Sequence, residues 1–298
     1  MKVYRSQAKS KSVTEAKSSL TNPRPSPSSS SSRPGFSVAD GFEPAKAVKT
    51  GGLGTPRTRT NPNDLTFHGG KVLSSPTFQP IYVGDYWSTP KGAADRTYND
   101  AFAKDLVSGN HEAILSQYGV GKGQAAASTV VPGAPKVVTQ ADVEKLVKAQ
   151  IASGAVANGP QTVHMVVLPP GTVLSDGNAD STQGLGGFHN SYVGADGKPV
   201  YYGVVCYSQG NNGIDFTGNG RDNVTITESH EFDEAATDPD VGQGKVAWYN
   251  QKYGEIGDLA VNSGLVPLDK AYVRDEKGFA VQVEWSNADH AFEGVKKA

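Results

Sequence analysis

The sequence is poor in cysteine: Cys206 is the only one among 298 residues. A single cysteine excludes an internal disulfide framework and a four-cysteine zinc site, and its apolar surroundings indicate a buried, inert thiol. No run of about 18 apolar residues is present, which excludes a transmembrane helix. The first residues also lack the apolar segment of a secretory signal. We therefore expect a chain made in the cytoplasm, with a non-classical route left open for export.

Negative charge is scarce in the first 70 residues and positive charge is the minority in the rest of the chain, although the total is nearly balanced. Residues 1–70 carry eleven Lys and Arg against four Asp and Glu, whereas the remaining residues are acidic, so the formal net charge is −2. A near-neutral total argues against bulk nucleic-acid binding. The serine run 28–32 and its neighbouring prolines offer too little apolar surface for folding. The sequence predicts a disordered basic tail at 1–70 and one folded domain at 71–298.

The rest of the chain alternates between patterns typical of strands and of helices. β-branched and aromatic runs predict strands at 79–87, 162–168, 200–207 and 279–285. Helical spacing predicts helices at 139–151, opened by a capping box of Thr139 and Asp142, and at 226–237, opened by Thr225 and Glu228. The glycine-rich stretch 171–197 is predicted to be a long loop. Because helices and strands are interspersed without a strict β-α-β rhythm, we expect an α+β fold with a mixed sheet.

The predicted helix 226–237 carries the most specific chemical pattern. His230 and Glu234 lie four residues apart, so both side chains project from one helix face. An imidazole and a carboxylate in that arrangement bind one metal ion, and carboxylate oxygen is an accepted zinc ligand. Glu231 occupies the position of the general base in H-E-x-x-H zinc peptidases. A solvated acidic helix face is the alternative, since Glu228 and Asp233 also lie in this segment and Asp238 directly follows it.

A second acidic segment, 254–258, follows the helix by about twenty residues. Zinc peptidases with a glutamate as third ligand keep that ligand on a later element. Glu255 is therefore a candidate ligand, and Asp258 a candidate partner that orients His230. The reverse assignment, with Asp258 as the ligand, stays open, and so does a simple turn with exposed acids.

Other residues outside the helix are candidates for the same site. His189 ends the predicted loop and is a candidate additional ligand or substrate-facing donor. Tyr253 is a candidate for stabilising an oxyanion, as is Tyr249, although packing accounts for either tyrosine. His164 lies in an apolar strand, where a core histidine is expected.

The remaining polar groups are expected to be structural. The Gly/Asp/Asn-rich cluster at 215–223 offers oxygen ligands for an additional Ca²⁺ ion, but it lacks EF-hand spacing, so a turn is the preferred interpretation. His68, His111 and His290 lie in polar surroundings and are expected at the surface.

Several blocks of the sequence resemble one known family. The segment 229–239, SHEFDEAATDP, resembles the AHEIAELATNP segment of the plant phosphate-induced, or EXORDIUM-like, proteins. In the same order, GFH at 187–189, EIGDL at 255–259 and FAVQVEWS at 279–286 resemble that family's GFH, EIADL and FLVQWVWS. The H-E-x-x-E-x-x-T-D-P pattern also occurs in bacterial and fungal proteins that are classed with the metallopeptidases.

The resemblance implies a single metallopeptidase-like, or zincin-like, domain with a degenerate H-E-x-x-E motif. The plant members are secreted, growth-related wall proteins, and their pattern includes cysteines near 185, after 259 and near the C-terminus. This chain has Leu185, Ala260 and Phe292 in those places. The acid and histidine positions therefore remain while the disulfide staples are missing.

Two hypotheses follow for function. In the first, the protein is a zinc-dependent hydrolase, most simply a metallopeptidase acting on a protein, peptide or cell-wall substrate, with Glu231 activating the water. In the second, it is a non-catalytic cell-wall or glycan-binding protein on a peptidase-like scaffold. An exported effector with the tail as delivery signal is compatible with either, and the oligomeric state is left open.

Overall fold

The computed structural model describes residues 61–295. Residues 1–60 of the predicted tail, and any delivery role for them, lie outside the described residues. Residues 61–70 belong to the folded body, because Leu65 is buried and Thr66–Phe67 pair with Trp248–Tyr249. The folded part therefore includes positions that the sequence prediction assigned to the tail.

The described residues form strands, α-helices and short 3₁₀ helices. The strands are β1 (Thr66–Phe67), β2 (Thr77–Val83), β3 (Gln124–Ala125), β4 (Thr129–Val131), β5 (Val137–Thr139), β6 (Thr162–Val167), β7 (Val173–Ser175), β8 (Gly187–Val193), β9 (Pro199–Val205), β10 (Trp248–Tyr249), β11 (Tyr272–Arg274), β12 (Ala280–Gln282), β13 (Glu284–Ser286) and β14 (Ala291–Glu293). The α-helices are α1 (Pro90–Leu106), α2 (Glu112–Leu115), α3 (Gln140–Ala152), α4 (Gly220–Thr237) and α5 (Asp258–Asn262). The 3₁₀ helices are Asp85–Ser88, Ser116–Tyr118, Ser181–Gln183, Val241–Gln243 and Leu268–Lys270.

A mixed sheet forms the centre of the body. Its strands lie in the order β3, β2, β6, β9 and β8, and β4 also pairs with β2. The strand β2 runs parallel to β3, β4 and β6, and β6 runs parallel to β9. The strand β8 runs antiparallel to β9. The α+β class and the mixed sheet expected from the sequence are confirmed.

Alternate side chains of the strands cover both faces of this sheet. Val163 and Met165 of β6 pack on the same side as Phe232 of α4, together with α1. Val166 of β6 points to the other face, where Val143 of α3 covers it. Each fully buried side chain of this kind contributes about 1.5–3 kcal/mol to the free energy of unfolding. Burial on two sides is typical of parallel strands and leaves α4 enclosed.

The helix α4 begins earlier than the sequence predicted. Asn219 caps it, since its Oδ1 accepts from the backbone N–H of Arg221 at 3.0 Å. The predicted cap at Thr225 and Glu228 is wrong, because Thr225 lies inside the helix and its Oγ1 donates to the carbonyl of Ala280 at 2.8 Å. The end at Thr237, two residues before a proline, agrees with prediction. The capping box predicted for α3 is also confirmed.

The predicted loop 171–197 contains two strands, so that prediction is wrong over β7 and β8. In β8, Phe188 and Tyr192 pack into the core on one face of the sheet. His189 and Ser191 are buried as well, on the other face. A buried polar face hides the usual alternation of apolar and polar residues, and the composition then resembles that of a loop. Among the described helices, none combines the length and apolar character that crossing a membrane requires.

Candidate metal centre

Three separate elements bring histidine and glutamate side chains together beside the sheet. The helix α4 contributes His230, Glu231 and Glu234, the strand β8 contributes His189, and the segment before α5 contributes Glu255. Each of the five residues is at most 2% exposed. Residues that are distant in the chain thus form one buried polar cluster, which we call the His–Glu cluster.

The distances within the His–Glu cluster fall in a narrow range. His230 Nε2 lies 3.2 Å from Glu234 Oε1, and His189 Nδ1 lies 3.4 Å from Glu234 Oε2. His189 Nε2 lies 3.4 Å from Glu255 Oε1, while Glu231 Oε2 is 3.8 Å from His189 Nδ1. Two groups of ligand atoms result, one around His189 and one around His230, and Glu234 belongs to both.

These separations match the spacing of ligands around a small cation. Zinc binds nitrogen and oxygen ligands at about 2.0–2.1 Å, so neighbouring ligands of a tetrahedral site lie about 3.3 Å apart. The contacts of 3.2 and 3.4 Å have that length. The ligand set of histidine nitrogen and carboxylate oxygen is also one that zinc accepts.

His189 is the least satisfied of these side chains. Neither ring nitrogen makes a hydrogen bond within the described residues, although the side chain is fully buried. Buried polar atoms are normally hydrogen-bonded, and an exception calls for an unfilled partner such as an ion. The residues present therefore fit a metal ion beside His189.

Burial and charge together shift the pKa values in the cluster. Burial favours neutral imidazole, but Glu255, Glu231 and Glu234 outweigh it and raise the pKa of His189 well above its usual range. Burial also favours the neutral form of His230, but Glu234 outweighs this effect and raises the pKa of His230 to about 10. Burial favours protonated Glu234, yet the two histidines lower its pKa to about 2. Protons on the histidines thus balance the carboxylates, and a divalent cation would displace those protons.

Two glycines leave the space that the cluster occupies. A Cβ atom on Gly257 would lie 2.5 Å from His230 Nδ1. A Cβ atom on Gly187 would lie 2.8 Å from Glu231 Oε1 and 2.6 Å from the carbonyl oxygen of Val204. Both positions therefore require glycine because the functional side chains pack directly against the backbone.

Asp258 supports the cluster from outside. Its backbone N–H donates to Glu234 Oε1 at 3.2 Å, and its carboxylate accepts from the N–H of Glu255 at 3.3 Å and from Asn262 Nδ2 at 2.8 Å. Of the two candidate ligands, the geometry brings Glu255 into the cluster, while Asp258 holds the backbone of the segment that carries it.

Gln282, rather than Asp258, contacts the far side of the His230 ring. Its Oε1 lies 3.1 Å from His230 Nδ1, and the side chain is fully buried on β12. This residue was not among the candidates predicted from the sequence. The predicted strand 279–285 did carry a signal, since Gln282 and Glu284 alternate with Val281 and Val283 and give an otherwise apolar run one polar face.

The structure separates the two candidate tyrosines. The hydroxyl of Tyr253 accepts from Lys252 Nζ at 2.7 Å in an exposed contact. Burial, followed by the charges of Glu255 and Asp258, raises the pKa of Tyr249. Of the two candidate tyrosines, Tyr249 is therefore the one whose pKa is shifted by a carboxylate of the His–Glu cluster.

The acidic residues of α4 are not a solvated face. All five that the sequence places between 228 and 238 are at most 2% exposed: Glu228, Glu231, Asp233, Glu234 and Asp238.

Another prediction that fails is the surface location of His111. That residue is 3% exposed, and its Nε2 lies 2.6 Å from Asp233 Oδ2. His164 and Cys206 are buried as predicted, and burial raises the pKa of the thiol to about 12.

The Gly/Asp/Asn-rich segment 215–223 has the hydrogen bonds of a turn. Asp215 Oδ1 accepts from the N–H of Gly218 at 2.7 Å and from Asn223 Nδ2 at 2.9 Å. Asp222 Oδ2 pairs with Arg274 at 2.6 Å. Protein donors thus engage the oxygens proposed for Ca²⁺, in line with the preferred interpretation.

Comparison with known proteins gives no match: the chain matches no protein family, no curated protein and no solved structure. The resemblance of the short blocks to the EXORDIUM-like family stays a prediction.

Proposed function

We propose that this protein is a zinc-dependent hydrolase, a metallopeptidase built on a zincin-like domain. The observation that carries the proposal is the set of three contacts of 3.2–3.4 Å that join His230, Glu234, His189 and Glu255. His230, Glu234 and Glu255 would hold the ion as three protein ligands and leave the fourth position to a water, with His189 beside them as a further ligand or a donor to the reacting group. Zinc in such a site lowers the pKa of a coordinated water and polarises a carbonyl group.

Glu231 is the base in this proposal. It lies beside the ligands on α4, its Oε1 makes no hydrogen bond within the described residues, and burial raises its pKa above the usual range. A carboxylate with a raised pKa is better matched to accepting a proton near neutral pH. The Glu231 side chain would therefore take the proton of the attacking water and hand it to the leaving group.

The test combines metal analysis with one substitution. We expect the purified full chain to contain one equivalent of zinc and to cleave peptides from a mixed-sequence library. Glu231→Gln should keep the zinc and lower the rate about 10²–10⁴-fold, the usual contribution of a general base. Glu228→Gln is the matched control, because Glu228 is an equally buried glutamate on α4 outside both ligand groups. Peptide cleavage by metal-free protein would contradict the proposal.

Burial favours a second candidate function. No residue of the His–Glu cluster is more than 2% exposed, and two cavities of about 300 and 170 Å³ are lined by other residues. A non-catalytic binding protein with a buried, structural zinc fits that burial. In that case Glu231→Gln leaves glycan or cell-wall binding unchanged, and no peptide is cleaved by either form.

A further inference from the structure

We propose that Gln282 is a positioning residue for His230: its amide oxygen accepts the Nδ1 proton, so that Nε2 is the nitrogen left for a metal ion beside Glu234. The metal part of this inference rests on the proposed function. The hydrogen-bond part rests on the contacts alone.

The orientation of the Gln282 amide is fixed by a backbone carbonyl. Its Nε2 lies 2.8 Å from the oxygen of Gly257 and 3.2 Å from Glu284 Oε1. A backbone carbonyl oxygen only accepts hydrogen bonds, so the atom facing it is the NH₂ group. The reverse orientation would place two acceptor oxygens against each other in a fully buried site. The amide oxygen therefore faces His230.

That orientation decides which nitrogen of His230 carries a proton. Gln282 Oε1 lies 3.1 Å from Nδ1 and has no proton to give, so Nδ1 is the donor. When the ring is neutral, the other nitrogen, Nε2, offers its lone pair at 3.2 Å from Glu234 Oε1. Two acceptor atoms at that distance need either a shared proton or a metal ion between them.

Gln282 also connects two elements of the site. Besides His230 on α4, it binds Gly257, which lies between Glu255 and Asp258 in the segment that carries the candidate ligand. The backbone N–H of Gln282 donates to Ser229 Oγ at 2.9 Å, next to His230 in the chain. Gln282 therefore fixes the His230 ring and the Glu255 segment relative to each other. Such outer-shell partners typically change metal affinity 10–100-fold.

The proton readout needs no metal. In metal-free protein with ¹⁵N-labelled histidine, we expect a His230 Nδ1–H signal that exchanges slowly with water, because the proton is buried and bonded. The signal should persist in Gln282→Glu, which keeps an acceptor, and should be lost by fast exchange in Gln282→Leu. An unchanged Nδ1–H signal in Gln282→Leu overturns the proposal. A wild-type His230 that carries its slowly exchanging proton on Nε2 alone also overturns it, and this measurement needs no variant that folds.

The second readout is zinc affinity, measured by competition with a chromophoric chelator. Gln282→Leu should bind zinc about 10–100-fold more weakly, and Gln282→Glu should recover most of that loss. Gln79→Leu is the matched control, since Gln79 is a buried glutamine of β2 that donates to the carbonyl of Ala127 at 2.8 Å. Equal affinity in wild type and Gln282→Leu contradicts the positioning role. If wild type binds no zinc, the proposed function fails, while the proton readout still decides the role of Gln282.

Discussion

The helix α4 takes part in two sets of buried contacts between histidine and carboxylate, and the two sets differ in kind. On one side of the helix, His111 Nε2 lies 2.6 Å from Asp233, and His111 Nδ1 lies 2.5 Å from the carbonyl oxygen of Gly294. Both nitrogens of that ring are hydrogen-bonded, so the pair is closed. In the His–Glu cluster, both nitrogens of His189 lie 3.4 Å or more from the nearest carboxylate oxygens.

The difference shows how buried charge is balanced in each place. Burial opposes a charged His111, but Asp233 outweighs it and raises the pKa of the ring, which favours the charged imidazolium beside this carboxylate. The His–Glu cluster has three glutamates and two histidines. The distances between their ligand atoms match those expected between neighbouring ligands of a zinc ion. The closed pair is therefore satisfied within the protein, whereas the open cluster has donor atoms that could hold a cation.

Breaking the closed pair should have the largest effect. Asp233→Ala leaves His111 buried without its partner, and we expect the free energy of unfolding to fall by about 3–5 kcal/mol. Replacing both residues by leucine should restore most of that loss, because no charge is then buried alone. Urea unfolding of the metal-free protein measures both variants, and a loss below about 1 kcal/mol in Asp233→Ala would contradict the comparison.

Breaking the open cluster should change metal binding instead. Glu234→Ala removes the one residue shared by both ligand groups, and we expect zinc affinity to fall at least about 100-fold, or roughly 3 kcal/mol. Asp233→Ala, one position away on the same helix, should leave zinc affinity within a few-fold of wild type. Calorimetric titration with zinc compares the two, and equal losses would erase the distinction between the contacts.

A fourth buried histidine sharpens the comparison by pH. His164 has one partner, Asn158 Oδ1 at 3.3 Å, and burial lowers its pKa to about 4. The unfolded chain binds its proton near pH 6.5, so stability is lost as the pH falls from 6.5 towards 4. At pH 5 this amounts to about 2 kcal/mol.

The control for this effect is His164→Leu, which removes the titrating group. Urea unfolding at pH 7 and at pH 5 should show a smaller acid loss in the variant than in wild type. Identical losses in the two proteins would assign the acid sensitivity to other groups. No such loss is expected from His111, whose pKa is raised rather than lowered.

The part of the site on α4 was predictable because the period of one helix sets it. His230 and Glu234 lie four apart, and that spacing brings His230 Nε2 to Glu234 Oε1 without help from the rest of the chain. The choice between Glu255 and Asp258 was not predictable. Both lie in one short segment, and the backbone path decides which carboxylate points inward, with Gly254 at a φ of 107°.

Contacts across long sequence separations escaped prediction altogether. Gln282 is 52 residues from His230, and His111 is 122 residues from Asp233. The alternation around Gln282 marks a polar face but not the residue that this face contacts, and a histidine in polar surroundings carries no local signal of burial, because tertiary packing alone decides both contacts. For the same reason β8 was predicted as a loop, since its polar face is buried only when α4 covers it.

The enclosure of α4 has a consequence for how the proposed zinc ion would enter and leave. Every residue of this helix from Asp222 to Thr237 is buried, so no ligand atom is open to passing solvent. Loading must then precede the final closing of the chain or wait for a transient opening of the elements that cover the helix. We expect a chelator to remove zinc at the rate of that transient opening, and this rate should not depend on chelator concentration. The rate of metal release would thus measure the rate of the slow internal motions of the protein.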